Sequence, residues 1–134
     1  VKAAAVGDYR PKTRLEEKIK RSGRGTMEVL FDQNPDIAAL AGSHKRSGQI
    51  LIGFAAESHD LEKNALAKIT GKNLDFIVAN RISGPASAFG SETNTIQIFD
   101  RTGFRRTFSG SKEEAAWVVW DFAAEKGSEL APGS

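Results

Sequence analysis

Cysteine is missing from all 134 residues, which excludes a disulfide framework, a thiol nucleophile and a thiolate metal site, and fits a reducing compartment. Histidine is almost missing. His44 and His59 are the only two, too few and too scattered for a zinc site, and they read as exposed imidazoles. No apolar run approaches the roughly 20 residues that span a bilayer, and no charged-then-apolar leader opens the sequence. The expectation is a soluble, cytoplasmic chain without a membrane partner. Aromatics are sparse at 8% and the formal charge is only +2. Basic character is therefore a small surplus. Arg105-Arg106, between Phe104 and Phe108, has no basic stripe beside it, so nucleic acid is not an expected partner.

What is present fits one domain with a core of ordinary size. Val1 to Val6 reads as a strand or buried segment that begins without a methionine, as in a piece of a longer chain. Met27 to Phe31 has the β-branched and aromatic content of a strand, and Asn34-Pro35 suits the start of a short helix over Pro35 to Ala41, closed by Gly42. Gln49 to Phe54 and Leu74 to Ala79 are continuous apolar strands of the kind covered on both faces. Between them Asp60 is positioned to cap a helix in which Leu61, Ala65 and Ile69 share a face, with Gly71 as its stop and Asn64, Lys68 and Lys72 along another face. After a small-residue loop over 83–91 come a hairpin, Thr95 to Phe99 and Phe104 to Phe108, turning at Asp100 to Gly103, and then a Ser111/Glu114 capping box. Ala115, Val118, Val119, Phe122 and Ala123 form the apolar stripe of a last helix that runs to about Lys126, before a tail over 127–134. Trp117 and Trp120 lie beside that stripe and are expected to pack. The fold class is α/β: a mostly parallel, Rossmann-like sheet flanked by helices, with a C-terminal hairpin.

In such sheets ligands bind beyond the carboxyl ends of the strands. Asp8, Asn34-Pro35-Asp36, Phe54 to Glu57 and Asn80 are placed on that rim, with Lys18 and the Lys68/Lys72 pair approaching from flanking elements. Backbone N–H groups at the helix start near Pro35 suit an anion. Lys18-Ile19-Lys20-Arg21 puts three cations in four residues, a place to hold a phosphate or simply a solvated run. The Asn34-Pro35 pair fits a cap alone, Phe54 fits core, and Lys68/Lys72 fits an exposed stripe. Neither a P-loop nor a GxGxxG fingerprint is present.

Five segments in order, Ala3 to Pro11, Lys18 to Arg21, Asn34 to Ile37, Gly53 to Glu57 and Lys72 to Asn80, closely resemble the C-terminal part of bacterial phosphopantothenoylcysteine synthetase. That is the phosphopantothenate–cysteine ligase half of the bifunctional coenzyme A biosynthesis flavoprotein. The resemblance spans residues 1–126 and implies ligation of 4'-phosphopantothenate to cysteine through an acyl-cytidylate made from CTP, with Mg2+ assisting the first step. It places Ala3, Ala4 and Asp8 at the nucleotide, Pro35, Asp36, Ile37 and Ala38 with Phe54 along the cytidine, and Lys68 and Lys72 on the triphosphate. Lys18 becomes the lysine that acts on the acyl-cytidylate in the second step, polarising its carbonyl or steadying the departing phosphate. The metal ligands are not identified. FMN belongs to the decarboxylase half and is not expected on this chain.

The resemblance further implies a homodimer with residues 83–108 as candidate contact, and an N-terminal ligase segment that this sequence does not include. Arg21 stands where lysine is common, Gly7 where alanine is, and Lys2 where the family is usually apolar. The alternative reading is a non-catalytic nucleotide-binding or dimerisation fragment that lacks the N-terminal half of the active site.

Overall fold

The computed structural model describes residues 6–18, 25–57, 60–81 and 93–130. The expected strand over Val1 to Val6 falls almost wholly outside them, as do Ala3, Ala4, Lys20, Arg21, His59 and the 83–91 loop. The chain divides into two compact units, meeting in sequence between Asp36 and Ile37.

The smaller unit is built on a two-stranded antiparallel ribbon, β1 (Tyr9–Pro11) and β2 (Phe31–Gln33). Backbone bonds from Lys12 N to Leu30 O and from Asn34 N to Asp8 O extend the ladder at both ends. The strand expected over Met27 to Phe31 is thus displaced: pairing with Tyr9–Pro11 begins only at Phe31. Leu30 and Phe31 are exposed, so β-propensity marked the neighbourhood of a strand without fixing its register.

The larger unit carries a mixed sheet in the order β3 (Ile52–Glu57), β4 (Phe76–Arg81), β5 (Thr93–Asp100), β6 (Gly103–Ser111). β3 and β4 are parallel, with Phe54 opposite Val78, and the other two pairings are antiparallel. The α/β character, the parallel crossover and the terminal hairpin are as the sequence implies. Because the hairpin extends the same sheet, only one of its three described joints is parallel. The crossover is α2 (Leu61–Gly71), and α3 (Lys112–Leu130) follows β6, while the short α1 (Ile37–Ser43) precedes β3.

Both faces of the sheet are covered. Ile52, Phe76, Val78, Ile96 and Ile98 pack under Ala115, Val119, Phe122 and Ala123 of α3, with Phe76 and Phe122 edge to face at 4.9 Å. On the other face Ile77, Ala79 and Phe99 meet Ala65 and Ile69 of α2. This two-sided burial accounts for the continuous apolar runs in β3 and β4. The capping box forms as read: Glu114 Oε2 accepts from Ser111 N and Oγ at 2.8 Å, and Glu114 N donates to Ser111 Oγ at 3.2 Å. These bonds hold the Glu114 carboxyl below its ordinary range.

Three local readings change. α3 continues through Leu130, so the tail expected from 127 is still helix at its start. Trp117 and Trp120 are 64% and 57% exposed rather than packed. Asp60 precedes α2 in the left-handed region, φ 48°, with no side-chain cap bond. Among the described residues no helix is long and apolar enough to cross a membrane.

Candidate functional site

In the smaller unit Asp8 is exposed where the ribbon ends, and Asn34-Pro35-Asp36 leaves the other strand beside it. The link is built from side chains as well as backbone. Asn34 Nδ2 donates to Gly7 O at 2.7 Å, and Arg10 Nη1 donates to Asn34 Oδ1 at 2.9 Å. Asn34 is therefore not the helix cap that its sequence position suggests: α1 starts three residues later, at Ile37, and the Asn34 side chain faces the Gly7–Arg10 segment. Lys18 is exposed; the rest of its basic run lies outside the described residues.

In the larger unit α1 begins with exposed Ile37 and buried Ala38. Ala38 is core, so only its backbone remains to serve a ligand. Gly42, near the end of α1, sits against the end of α2: a Cβ there would lie inside the Lys72 carbonyl, 2.8 Å from its carbon and 3.1 Å from Asn73 Cβ. Asn73 Nδ2 donates to Gly42 O at 2.9 Å across the same junction.

α2 ends at Gly71 with Lys72 as its cap, and Asn73 is the residue that turns the chain out of it. It adopts φ 51°, Leu74 N reaches back to Ile69 O at 3.0 Å, and Asn73 N to Thr70 O at 3.4 Å. This is the Schellman arrangement with asparagine, the next most tolerant residue after glycine, in the left-handed position. Lys68 and Lys72 are both partly buried on this last stretch of α2.

The lysines are consequently at the end of α2 that leads into β4, near the strand's amino end, and not on the rim beyond its carboxyl end. α1 keeps them company there. Phe54 is third in β3 instead of at a strand end, and half exposed. The structure thus joins α1 with the Lys72 segment in the larger unit, and Asp8 with Asn34-Pro35 in the smaller one. Sequence reading missed Gly42 and Asn73 as junction residues. The signal was present in Lys72-Asn73 directly after a helical pattern, but Gly71 drew the stop to itself.

An open cleft of about 450 Å³ adjoins this junction through Asn73 and is lined also by Lys45, Asp75, Asp100, Arg101 and Lys126, but by none of the expected site residues. Its charges are largely spent on one another. Lys45 Nζ is 2.8 Å from Asp75 Oδ1, and Lys126 Nζ is 3.0 Å from Asp100 Oδ2. Arg105 and Arg106 are similarly engaged, with Asp100 at 3.5 Å and Glu125 at 3.1 Å. Among the described residues no three His, Cys, Asp or Glu converge on a possible cation site.

Residues 1–126 match the family model described as DNA/pantothenate metabolism flavoprotein C-terminal domain. The chain belongs to that family. A Bacillus subtilis (strain 168) coenzyme A biosynthesis bifunctional protein CoaBC is 42% identical over 79% of this chain and 26% of its own length. A cysteine/cysteine sulfinic acid decarboxylase from an unknown prokaryotic organism is 46% identical over 75% of this chain and 28% of its own. The chain thus spans little more than a quarter of either relative.

Among solved structures, the C-terminal domain of CoaBC superposes with a TM-score of 0.66 at 28% identity, covering 94% of this chain and 55% of that one. The DNA/pantothenate metabolism flavoprotein from Streptococcus pneumoniae superposes at 0.67 with 18% identity, over 90% and 60% of the two chains, and shows the shared fold. Family membership agrees with the resemblance carried by the five sequence segments.

Proposed function

We propose that this family member is the nucleotide-binding part of a CTP-dependent phosphopantothenate–cysteine ligase acting in coenzyme A biosynthesis. The observation that carries the reading is the Gly42–Asn73 junction, which holds α1, with Ile37 and Ala38, against the segment bearing Lys72. Two segments that the family resemblance assigns to one nucleotide are in contact although about 30 residues separate them.

Attack of a carboxylate on an α-phosphate brings negative groups together, and fixed cations lower that barrier electrostatically. Lys68 and Lys72 supply such charge on a rigid helix end. The family resemblance assigns Asp8 to the nucleotide and Pro35 to Ala38 with Phe54 to the cytidine side. Mg2+ bound with the triphosphate would supply charge neutralisation at the phosphates. Lys18 acts in the second step, on the acyl-cytidylate. Residues 83–108 form the contact between two copies, to be tested by sedimentation across a concentration series.

The test is titration of the chain with CTP and Mg2+, with ATP as control. Selective CTP binding is expected, weakened about tenfold by Lys72→Ala or Lys68→Ala, the size of one charge-assisted contact. Equal binding of ATP, or none of either nucleotide, overturns the reading. The second reading is binding without chemistry. Pyrophosphate release in the presence of 4'-phosphopantothenate separates the two.

A further inference from the structure

Asn34 has both ends of its amide committed, and in only one orientation. Nδ2 faces the Gly7 carbonyl at 2.7 Å and Oδ1 faces the Arg10 guanidinium at 2.9 Å. Flipping the amide would set oxygen against oxygen on one side and donor against donor on the other, so the network itself fixes the assignment. Arg10 Nη1 also reaches Gln33 O at 3.5 Å, and Asn34 N donates to Asp8 O at 2.8 Å. Four bonds therefore converge where the ribbon ends. The two chains they join carry Asp8 on one side and Pro35–Asp36 on the other.

Backbone pairing alone does not require this. The ladder would close with the Asn34 N–H bond whatever the side chain. The amide adds a hold on the peptide before Asp8, whose carbonyl sets the direction in which the exposed Asp8 side chain leaves the turn.

We propose that Asn34, braced by Arg10, is a positioning residue for the nucleotide: it fixes Asp8 relative to Pro35–Asp36 and touches no reacting atom itself. This rests on the CTP reading above and adds a role that lies outside the nucleotide contacts implied by the family resemblance.

A double-mutant cycle on the full chain tests it, with CTP and Mg2+ as the probe. Asn34→Ala is expected to weaken CTP binding about five- to tenfold, and to cost less than twofold in an Asp8→Ala background, because its effect runs through Asp8. Unchanged affinity in Asn34→Ala, or the same penalty in both backgrounds, overturns the proposal while leaving the CTP reading intact. If the unmodified chain binds no CTP, the CTP reading fails, and the clamp is judged by backbone amide resonances instead. Asn34→Ala must then shift those of Gly7 to Arg10 and of Asp36 while those of β4 to α3 stay in place. Unshifted resonances overturn it.

Discussion

Gly42→Ala is expected to destabilise the protein by about 3 kcal/mol, near the upper end of overpacking costs, and to lower its melting temperature by roughly 10 °C. The added methyl would collide with the Lys72 carbonyl and with Asn73 Cβ. These are main-chain and first-carbon atoms with no rotamer to retreat into, so one helix must move. Moving it breaks the Asn73 Nδ2 bond to Gly42 O and frees the Schellman turn that ends α2.

Gly71→Ala, in the last turn of α2, supplies the contrast. Nothing lies within 4 Å of its would-be Cβ, so helix propensity decides and the change should be neutral or stabilising by up to about 1 kcal/mol. Thermal unfolding of the two variants beside the parent checks both signs. Equal melting temperatures would mean that α1 does not rest on the Lys72 segment.

Asp100→Ala is expected to cost about 2–3 kcal/mol, with Asp100→Asn in between. The side chain is buried at the hairpin turn. Oδ1 accepts from Thr102 N at 2.8 Å and from Thr102 Oγ1 at 2.6 Å, while Oδ2 is covered by Lys126 Nζ at 3.0 Å and Arg105 Nε at 3.5 Å. One carboxylate thus joins the β5–β6 turn to the far end of α3. Alanine would leave the largely covered Lys126 ammonium with Glu129 alone, and the two Thr102 donors without their acceptor.

Burial pushes the Asp100 carboxyl up, but the Thr102 side-chain and backbone bonds and Lys126 outweigh it and hold the group below its ordinary 3.8. With the folded pKa depressed, the stabilisation from ionised Asp100 is fully present above about 3.8 and is lost as pH falls through the folded value. The stability gap between parent and Asp100→Asn should therefore be flat through neutral pH and close only in strong acid. Lys126 is shifted in the opposite direction, upward, by its bond to Glu129 and then by Asp100. Its contribution is present below the ordinary 10.5 and fades only above it. Denaturant unfolding at stepped pH checks the profile; a gap that begins to close near pH 6 would contradict it.

The larger unit was legible wherever a pattern had one physical cause. Two-sided burial wrote the apolar runs of β3 and β4, the α3 stripe wrote its face, and Ser111 with Glu114 wrote its cap. What stayed hidden depended on partners distant in sequence. Asn34 beside Pro35 reads as a cap because its bonds to Gly7 and Arg10 cross more than 20 residues. Gly42 reads as a helix stop because nothing local announces Lys72. Asp100 reads as a turn residue because Lys126 lies a whole helix away. At the site, residue types were legible and groupings were not: Lys68 and Lys72 were expected to approach the strand rim from a flanking element, and the end of α2 that carries them lies against α1.

Trp117 and Trp120 are the only tryptophans in the chain, and both stand open to solvent on the outer side of α3. Their emission in the folded protein should already resemble that of free indole in water and be readily quenched by iodide. Intrinsic fluorescence will then say little about whether the core has melted, and much about whatever comes to rest against that helix.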